Sequence, residues 1–138
     1  MRYVLLKLKD MTFGFVGLGL MGGSIAKGIK DKVFGESFLT YDDGIKNQST
    51  GKIFAVDKNP LTLKSALEEN IIDRGFSIEQ TDQMLSECDF VFICLYPKAT
   101  LDFLLEHKDA FKANSIVTDI SGVKTLLAQS FFENGKTG

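Results

Sequence analysis

Gly17-Leu18-Gly19-Leu20-Met21-Gly22 sets three glycines at the spacing G-x-G-x-x-G. That spacing suits one kind of chemistry, the cradling of a diphosphate by backbone amides. Gly17 permits a tight turn, Gly19 has no Cβ to obstruct an approaching diphosphate, and Gly22 lets a helix pack close to a strand. A helix opening at this point directs unpaired N–H groups and the positive end of its dipole at the anion. The whole run Gly17, Leu18, Gly19, Leu20, Met21 and Gly22 is therefore assigned to binding, and the Ser24 hydroxyl can reach a phosphate or cap the helix. The acidic partner of such a turn is Asp57, which closes Ile53-Phe54-Ala55-Val56-Asp57. A carboxylate there accepts hydrogen bonds from ribose hydroxyls, so the pair describes a dinucleotide site. An aspartate at this place favours NAD, because a 2′-phosphate meets its negative charge. Lys58 follows directly and could receive such a phosphate, so NADP stays open and NAD is the assignment.

Two later loops complete the candidate site. Leu95, Tyr96, Pro97 and Thr100 follow one apolar run and should border the ribose and diphosphate. Ser121 follows another and either caps the next helix or faces the nicotinamide. His107 is the only histidine. It lies in the charged stretch Glu106-His107-Lys108-Asp109 and is expected to be a solvated surface residue, so no acid–base residue of the usual kind is evident. Cys88 and Cys94 have neither a disulfide framework nor a CxxC spacing, and no metal site is expected.

The elements that must position these residues alternate. Thr12–Val16, Lys52–Val56, Asp89–Leu95 and Ser115–Asp119 are short, apolar and rich in β-branched and aromatic residues, as strands buried on both faces are. Helical spacing fills Met21–Lys30, Leu61–Asn70, Thr81–Cys88, Ala99–Phe111 and Val123–Asn134. Asn59-Pro60 puts proline in a helix's first turn, and Pro97 ends the strand before it. Alternation of this kind predicts an α/β fold, a Rossmann-type doubly wound, mainly parallel sheet with helices on both faces. Residues 1–10 read as an N-terminal extension, with Tyr3–Leu8 an added edge strand or a tail. Residues 11–138 read as one dinucleotide-binding domain. A polar insertion at about 32–51, with a short hairpin over Phe38–Tyr41, explains why Asp57 comes forty residues after Gly17 instead of about twenty.

Composition agrees with a packed domain. The 138 residues are 44% hydrophobic and 25% charged, which excludes a disordered or low-complexity chain. Sixteen basic and eighteen acidic side chains leave a net charge of −2, with no nucleic-acid or anionic-membrane footprint. Lys7 and Lys9 interrupt the N-terminal apolar stretch, so it does not read as a signal peptide. The expectation is a soluble, cytoplasmic protein without nucleic-acid or membrane partners.

The runs GFVGLGLMGGSIAKGIK, FAVDKNPLTLKSALEENIIDRGF, DFVFICLYPKAT and IVTDISGVK, in this order, resemble the prephenate dehydrogenase family. The most specific pieces are Gly22-Gly23-Ser24, Ile71-Ile72-Asp73 before Gly75, and Thr118-Asp119-Ile120-Ser121-Gly122-Val123-Lys124. The resemblance implies an enzyme of tyrosine biosynthesis that oxidatively decarboxylates prephenate to 4-hydroxyphenylpyruvate with NAD or NADP, arogenate being an alternative substrate. In many members the last segment reads Asp-x-Gly-Ser-Val-Lys, and its serine contacts the substrate hydroxyl. Here the pair is inverted, so Ser121 is the catalytic candidate at one place removed. The family's catalytic histidine lies in a Gly-His-Pro segment after this loop, and a helical domain supplies dimerisation and much of the substrate site. Neither occurs before Gly138. The chain thus reads as the cofactor-binding half of a homodimeric enzyme, binding cofactor without turnover by itself, with Phe131-Phe132 where the helical domain would dock. Two other readings remain: the 3-hydroxyisobutyrate and 6-phosphogluconate dehydrogenase group, which shares Gly-Leu-Gly-x-Met-Gly, and a non-catalytic NAD-sensing module.

Overall fold

The computed structural model describes residues 8–35 and 50–120. Strand β1 (Thr12–Val16) leads through the glycine motif into helix α1 (Leu20–Lys32). Strand β2 (Lys52–Val56), helix α2 (Pro60–Glu68) and strand β3 (Arg74–Phe76) follow. A 3-10 turn (Ile78–Gln80) then joins helix α3 (Thr81–Glu87), strand β4 (Phe90–Ile93), helix α4 (Pro97–His107) and strand β5 (Ile116–Asp119). The strands form one sheet in the order β3-β2-β1-β4-β5, every neighbouring pair parallel. This is the doubly wound arrangement that the alternation predicts. β3 is the addition: three residues centred on Gly75 carry too little apolar pattern to be read, and pairing with β2 makes them a strand.

Alternate side chains of the central strands fill two cores. Phe13 and Phe15 of β1 join Ile53 and Ala55 of β2, with Ala26 of α1 and Leu63 and Ala66 of α2 packed over them. Val16, Val56, Val91 and Ile93 face the other way, onto Met84 and Leu85 of α3 and Cys88. On that second face Gly14 makes room: a Cβ there would stand 2.5 Å from Cys88 Sγ.

Carboxylates tie the amino edge of the sheet. Asp89 accepts from Thr12 N–H at 2.9 Å and from the Lys112 ammonium, and Asp73 accepts from Ile53 N–H at 2.8 Å. Burial works to raise the pKa of Asp89, yet the bonds from Lys112 and Thr12 outweigh it and hold the carboxyl below its ordinary range. The segment before β1 is tied as well, Gly51 N–H donating to Lys9 C=O at 2.8 Å and the Thr50 hydroxyl to Asp10 at 2.9 Å. α1 ends at Lys32 and β2 begins at Lys52, the interval that the sequence assigns to an insertion. The proposed hairpin, residues 1–7, the Val123–Asn134 helix and Phe131-Phe132 lie outside the described residues.

Candidate functional site at the carboxyl edge of the sheet

Strand register brings the site residues to one edge. Val16 pairs with Val56 and Ile93, and Ile93 with Asp119, so Gly17, Asp57, Cys94 and Ile120 leave the sheet side by side. In a doubly wound sheet this edge is where ligands bind.

The glycine turn is shaped by its neighbours. Gly17 has φ +81°, and a Cβ there would also press on Leu95 Cδ2 at 3.0 Å and the Cys94 carbonyl at 3.1 Å. A Cβ on Gly22 would stand 2.7 Å from the Gly17 carbonyl oxygen, so the helix can pass this close to the turn only with glycine. Gly19 differs. Its φ is +29°, and a Cβ would meet no protein atom within 4 Å, so the protein itself leaves the space over Gly19 open. Gly19 is also the N-cap of α1 and offers no side-chain cap, while the first amide to close a helical turn is Gly23 N–H, on Gly19 C=O at 3.0 Å. The amides of Leu20, Met21 and Gly22 therefore open the helix without an intrahelical acceptor. With no acidic residue in the first turn, this end is suited to an anion.

Asp57 stands directly beside the turn. Its Oδ2 accepts from Leu18 N–H at 2.9 Å and its Oδ1 from Asn59 N–H at 2.8 Å. Gly17 N–H donates to Val56 C=O at 2.9 Å, so two consecutive amides of the turn are held by the end of β2. Asn59 caps α2 by accepting from Leu61 N–H at 3.0 Å, with Pro60 in the first turn as its position predicts. Lys58 is exposed beside them.

Other candidates take more particular places. Ser24 lies in the second turn of α1 and is exposed; it does not cap the helix, because Gly19 holds that position. It borders a cavity of about 590 Å³ between α1 and α2, together with Leu18, Gly19, Lys27, Thr62 and Ser65. Leu20 is 94% exposed, so only its backbone is built into the turn. Thr100 is buried at 2% exposure, and its hydroxyl donates to Leu95 C=O at 3.2 Å. It thereby fixes the loop in which Leu95 leans on Gly17 and Tyr96 stands 79% exposed. Pro97 begins α4. Ser121 lies outside the described residues.

His107 is not the solvated residue its charged neighbours suggest. Its Nδ1 lies 2.6 Å from Asp82, and its ring packs on Phe103 with centroids 4.5 Å apart. It ends α4, which starts at the site, so a rise of about 15 Å along the helix separates it from the glycine turn's edge. Cys88 is fully buried, and burial pushes its thiol up to about 12. No cluster of metal-ligating side chains occurs among the described residues.

Comparison with known proteins decides among dehydrogenases that share this edge. The family model of the prephenate dehydrogenase nucleotide-binding domain matches residues 44–137. The chain belongs to this family. The matched segment begins beyond the glycine turn, so membership in the prephenate dehydrogenase family does not rest on the fingerprint. Among solved structures, prephenate dehydrogenase from A. aeolicus in complex with hydroxyphenyl propionate and NAD+ aligns with a TM-score of 0.59 at 25% identity. The alignment covers 79% of this chain and 32% of that one. A second structure of the Aquifex aeolicus enzyme aligns at 27% identity over 78% and 33% of the two chains, also with a TM-score of 0.59. Synechocystis arogenate dehydrogenase shares the fold, at 24% identity and a TM-score of 0.59 over 79% and 32%. The chain thus spans about a third of the length of these structures. No curated protein matches it in sequence.

Proposed function

We propose that the carboxyl edge of this sheet binds NAD and serves an enzyme that oxidatively decarboxylates prephenate to 4-hydroxyphenylpyruvate. The observation that carries the reading is the Asp57 carboxylate, one hydrogen bond from the glycine turn at the end of β2. A dinucleotide fits what the residues offer. The uncapped amides of Leu20, Met21 and Gly22 face a diphosphate, the open space over Gly19 admits it, and Asp57 keeps lone pairs for ribose hydroxyls. The loop at Leu95, Tyr96 and Pro97 borders the other side, with Thr100 bracing it from beneath. The bound cofactor supplies a hydride acceptor as the ring carboxylate departs as carbon dioxide and the product becomes aromatic. The chain's part is to hold and orient that acceptor.

The negative charge of Asp57 favours NAD over NADP, with Lys58 as the cation that would serve the second. Ser121 is assigned to face the nicotinamide. In the same reading residues 11–138 form the cofactor domain, residues 1–10 are an extension, and this chain alone binds without turnover. Its one histidine is committed to Asp82 on the far edge. The full-length enzyme is read as a cytoplasmic homodimer acting on prephenate, with arogenate as the alternative substrate and no nucleic-acid or membrane partner. The net charge of −2 and the family support this, and no helix among the described residues is long and apolar enough to cross a membrane.

Thermal unfolding with NAD and NADP titrated separately is the test. A ligand at a hundredfold excess over its Kd that binds only the folded chain adds about 2.7 kcal/mol. For a domain of this size that raises the midpoint by on the order of 10 °C. NAD is expected to produce the larger shift; no shift with either nucleotide would sink the proposal.

A further inference from the structure

We infer that Asp57 is a positioning residue as well as a ribose acceptor: it sets the glycine turn in its binding shape before any cofactor arrives. The inference rests on the NAD reading of this edge. The turn is costly to hold. Gly17 at φ +81° and Gly19 at φ +29° hold conformations that glycine alone adopts readily but does not by itself prefer, and fixing them loses the entropy that glycine has in excess. Something outside the turn must select this one shape. Three bonds from the end of β2 do so: Gly17 N–H to Val56 C=O, Leu18 N–H to Asp57 Oδ2, and Asn59 N–H to Asp57 Oδ1. The third bond stops the carboxylate from swinging away from Leu18 N–H. The two bonds to the carboxylate are charge-assisted and so the strong ones, and the one from Leu18, itself almost fully buried, is partly shielded from water.

Two consequences follow for recognition. The Leu18 amide is committed to Asp57 and is withdrawn from the diphosphate, which leaves the helix-opening amides of Leu20, Met21 and Gly22 for that purpose. And the carboxylate that repels a 2′-phosphate is part of the turn's own framework. Replacing it does not simply exchange NAD for NADP. An asparagine has a single acceptor oxygen and would set its NH2 against one of two N–H donors, so it can satisfy Leu18 or Asn59 but not both.

Hydrogen exchange resolved by residue tests this without reliance on turnover. In the chain without cofactor, Leu18 N–H is expected to be protected while Leu20 and Met21 exchange readily and become protected when NAD is added. In Asp57→Asn without cofactor, exchange at Leu18, Asn59 or both rises at least about tenfold, as the loss of a charged hydrogen bond implies. The β1 amides of Phe13 and Phe15 keep their rates, which separates a loosened turn from a loosened domain. Unchanged exchange at both Leu18 and Asn59 in the variant overturns the inference. Should the variant fail to fold, rapid exchange of Leu18 in the unsubstituted chain overturns it and protection supports it. Leu20 and Met21 that ignore NAD while Leu18 is protected count against the cofactor proposal and leave the preset turn standing.

Discussion

At the scale of single residues, Gly19 and Gly14 are glycines for different reasons. A Cβ on Gly19 would meet no protein atom within 4 Å, and under the cofactor proposal that space is for the diphosphate, whereas Gly14 is a glycine because Cys88 occupies the space of its side chain. The second case allows a clean experiment. Gly14→Ala forces a Cβ to 2.5 Å from the fully buried Cys88 Sγ, which should destabilise the chain by about 1–3 kcal/mol. Alanine also recovers about 0.5–1 kcal/mol that glycine costs inside a strand, so overpacking wins only while the sulfur is present. In a Cys88→Ala background the nearest remaining atoms are the residue-88 Cβ at 3.2 Å and Met84 Cε at 3.5 Å. There Gly14→Ala is expected to be nearly neutral or stabilising. Urea midpoints for the four chains of this double-mutant cycle decide it. Equal destabilisation in both backgrounds would mean that the residue-88 Cβ and Met84, and not the sulfur, exclude the side chain.

At the scale of elements, strands that are buried on both faces write themselves into sequence as unbroken apolar runs, which is why β1, β2 and β4 are legible in it. β5 has the same apolar residues and is a strand, but it lies at the sheet's edge and is largely exposed, so the burial expected for it on both faces is not found. β3 is not legible, because Arg74-Gly75-Phe76 becomes a strand only through its partner β2. The site divides in the same way. The glycine spacing and the acid closing β2 are local patterns, but the bond between Leu18 and Asp57 spans 39 residues and exists only once the sheet has formed. The sequence places Thr100 in a loop that should border a cofactor; that its hydroxyl turns inward to Leu95 C=O depends on how α4 leaves the sheet. Among these long-range ties, Asp89 makes a pH-dependent one. Its carboxyl titrates lower in the folded chain than in the unfolded one, so its contribution is complete above about pH 4 and is lost as pH falls through the lower folded value. Lys112→Met removes the chief partner. The variant is expected to be less stable by about 1 kcal/mol or less near pH 6, Lys112 being half-exposed, and the deficit should shrink toward pH 2–3. Denaturant midpoints at the two pH values measure it; a deficit independent of pH would assign the loss to packing of the lysine stem.

At the scale of the whole molecule, the site at the carboxyl edge and the core beneath it share one sheet, so ligand bound at the edge must show as protection deep in the core. Cys88 reports this well. Its side chain lies between Gly14 of β1 and the α3 layer, it is fully buried, and its thiol is pushed up to about 12, mainly by burial and further by Glu87 and Asp89. Nothing near the surface can react there at neutral pH, because both the access and the thiolate are missing. Alkylation of Cys88 therefore requires an opening that separates α3 from the sheet, and in a small cooperative domain the opening of central strands approaches global unfolding. If NAD binds only the closed state, the opening equilibrium falls by the same factor as it does for unfolding. A hundredfold excess over Kd should then slow labelling about 100-fold. Cys94 provides the internal contrast. It is half-buried at the turn itself, so its labelling reports local access instead of global opening. Peptide mapping after a timed pulse of an alkylating reagent distinguishes the two thiols in the unsubstituted chain. Slowing at Cys88 that matches the thermal shift with NAD would show that the sheet opens as one unit. Slowing at Cys94 alone would mean that α3 detaches while the glycine turn stays closed, and that the two cores of this sheet are separately stable.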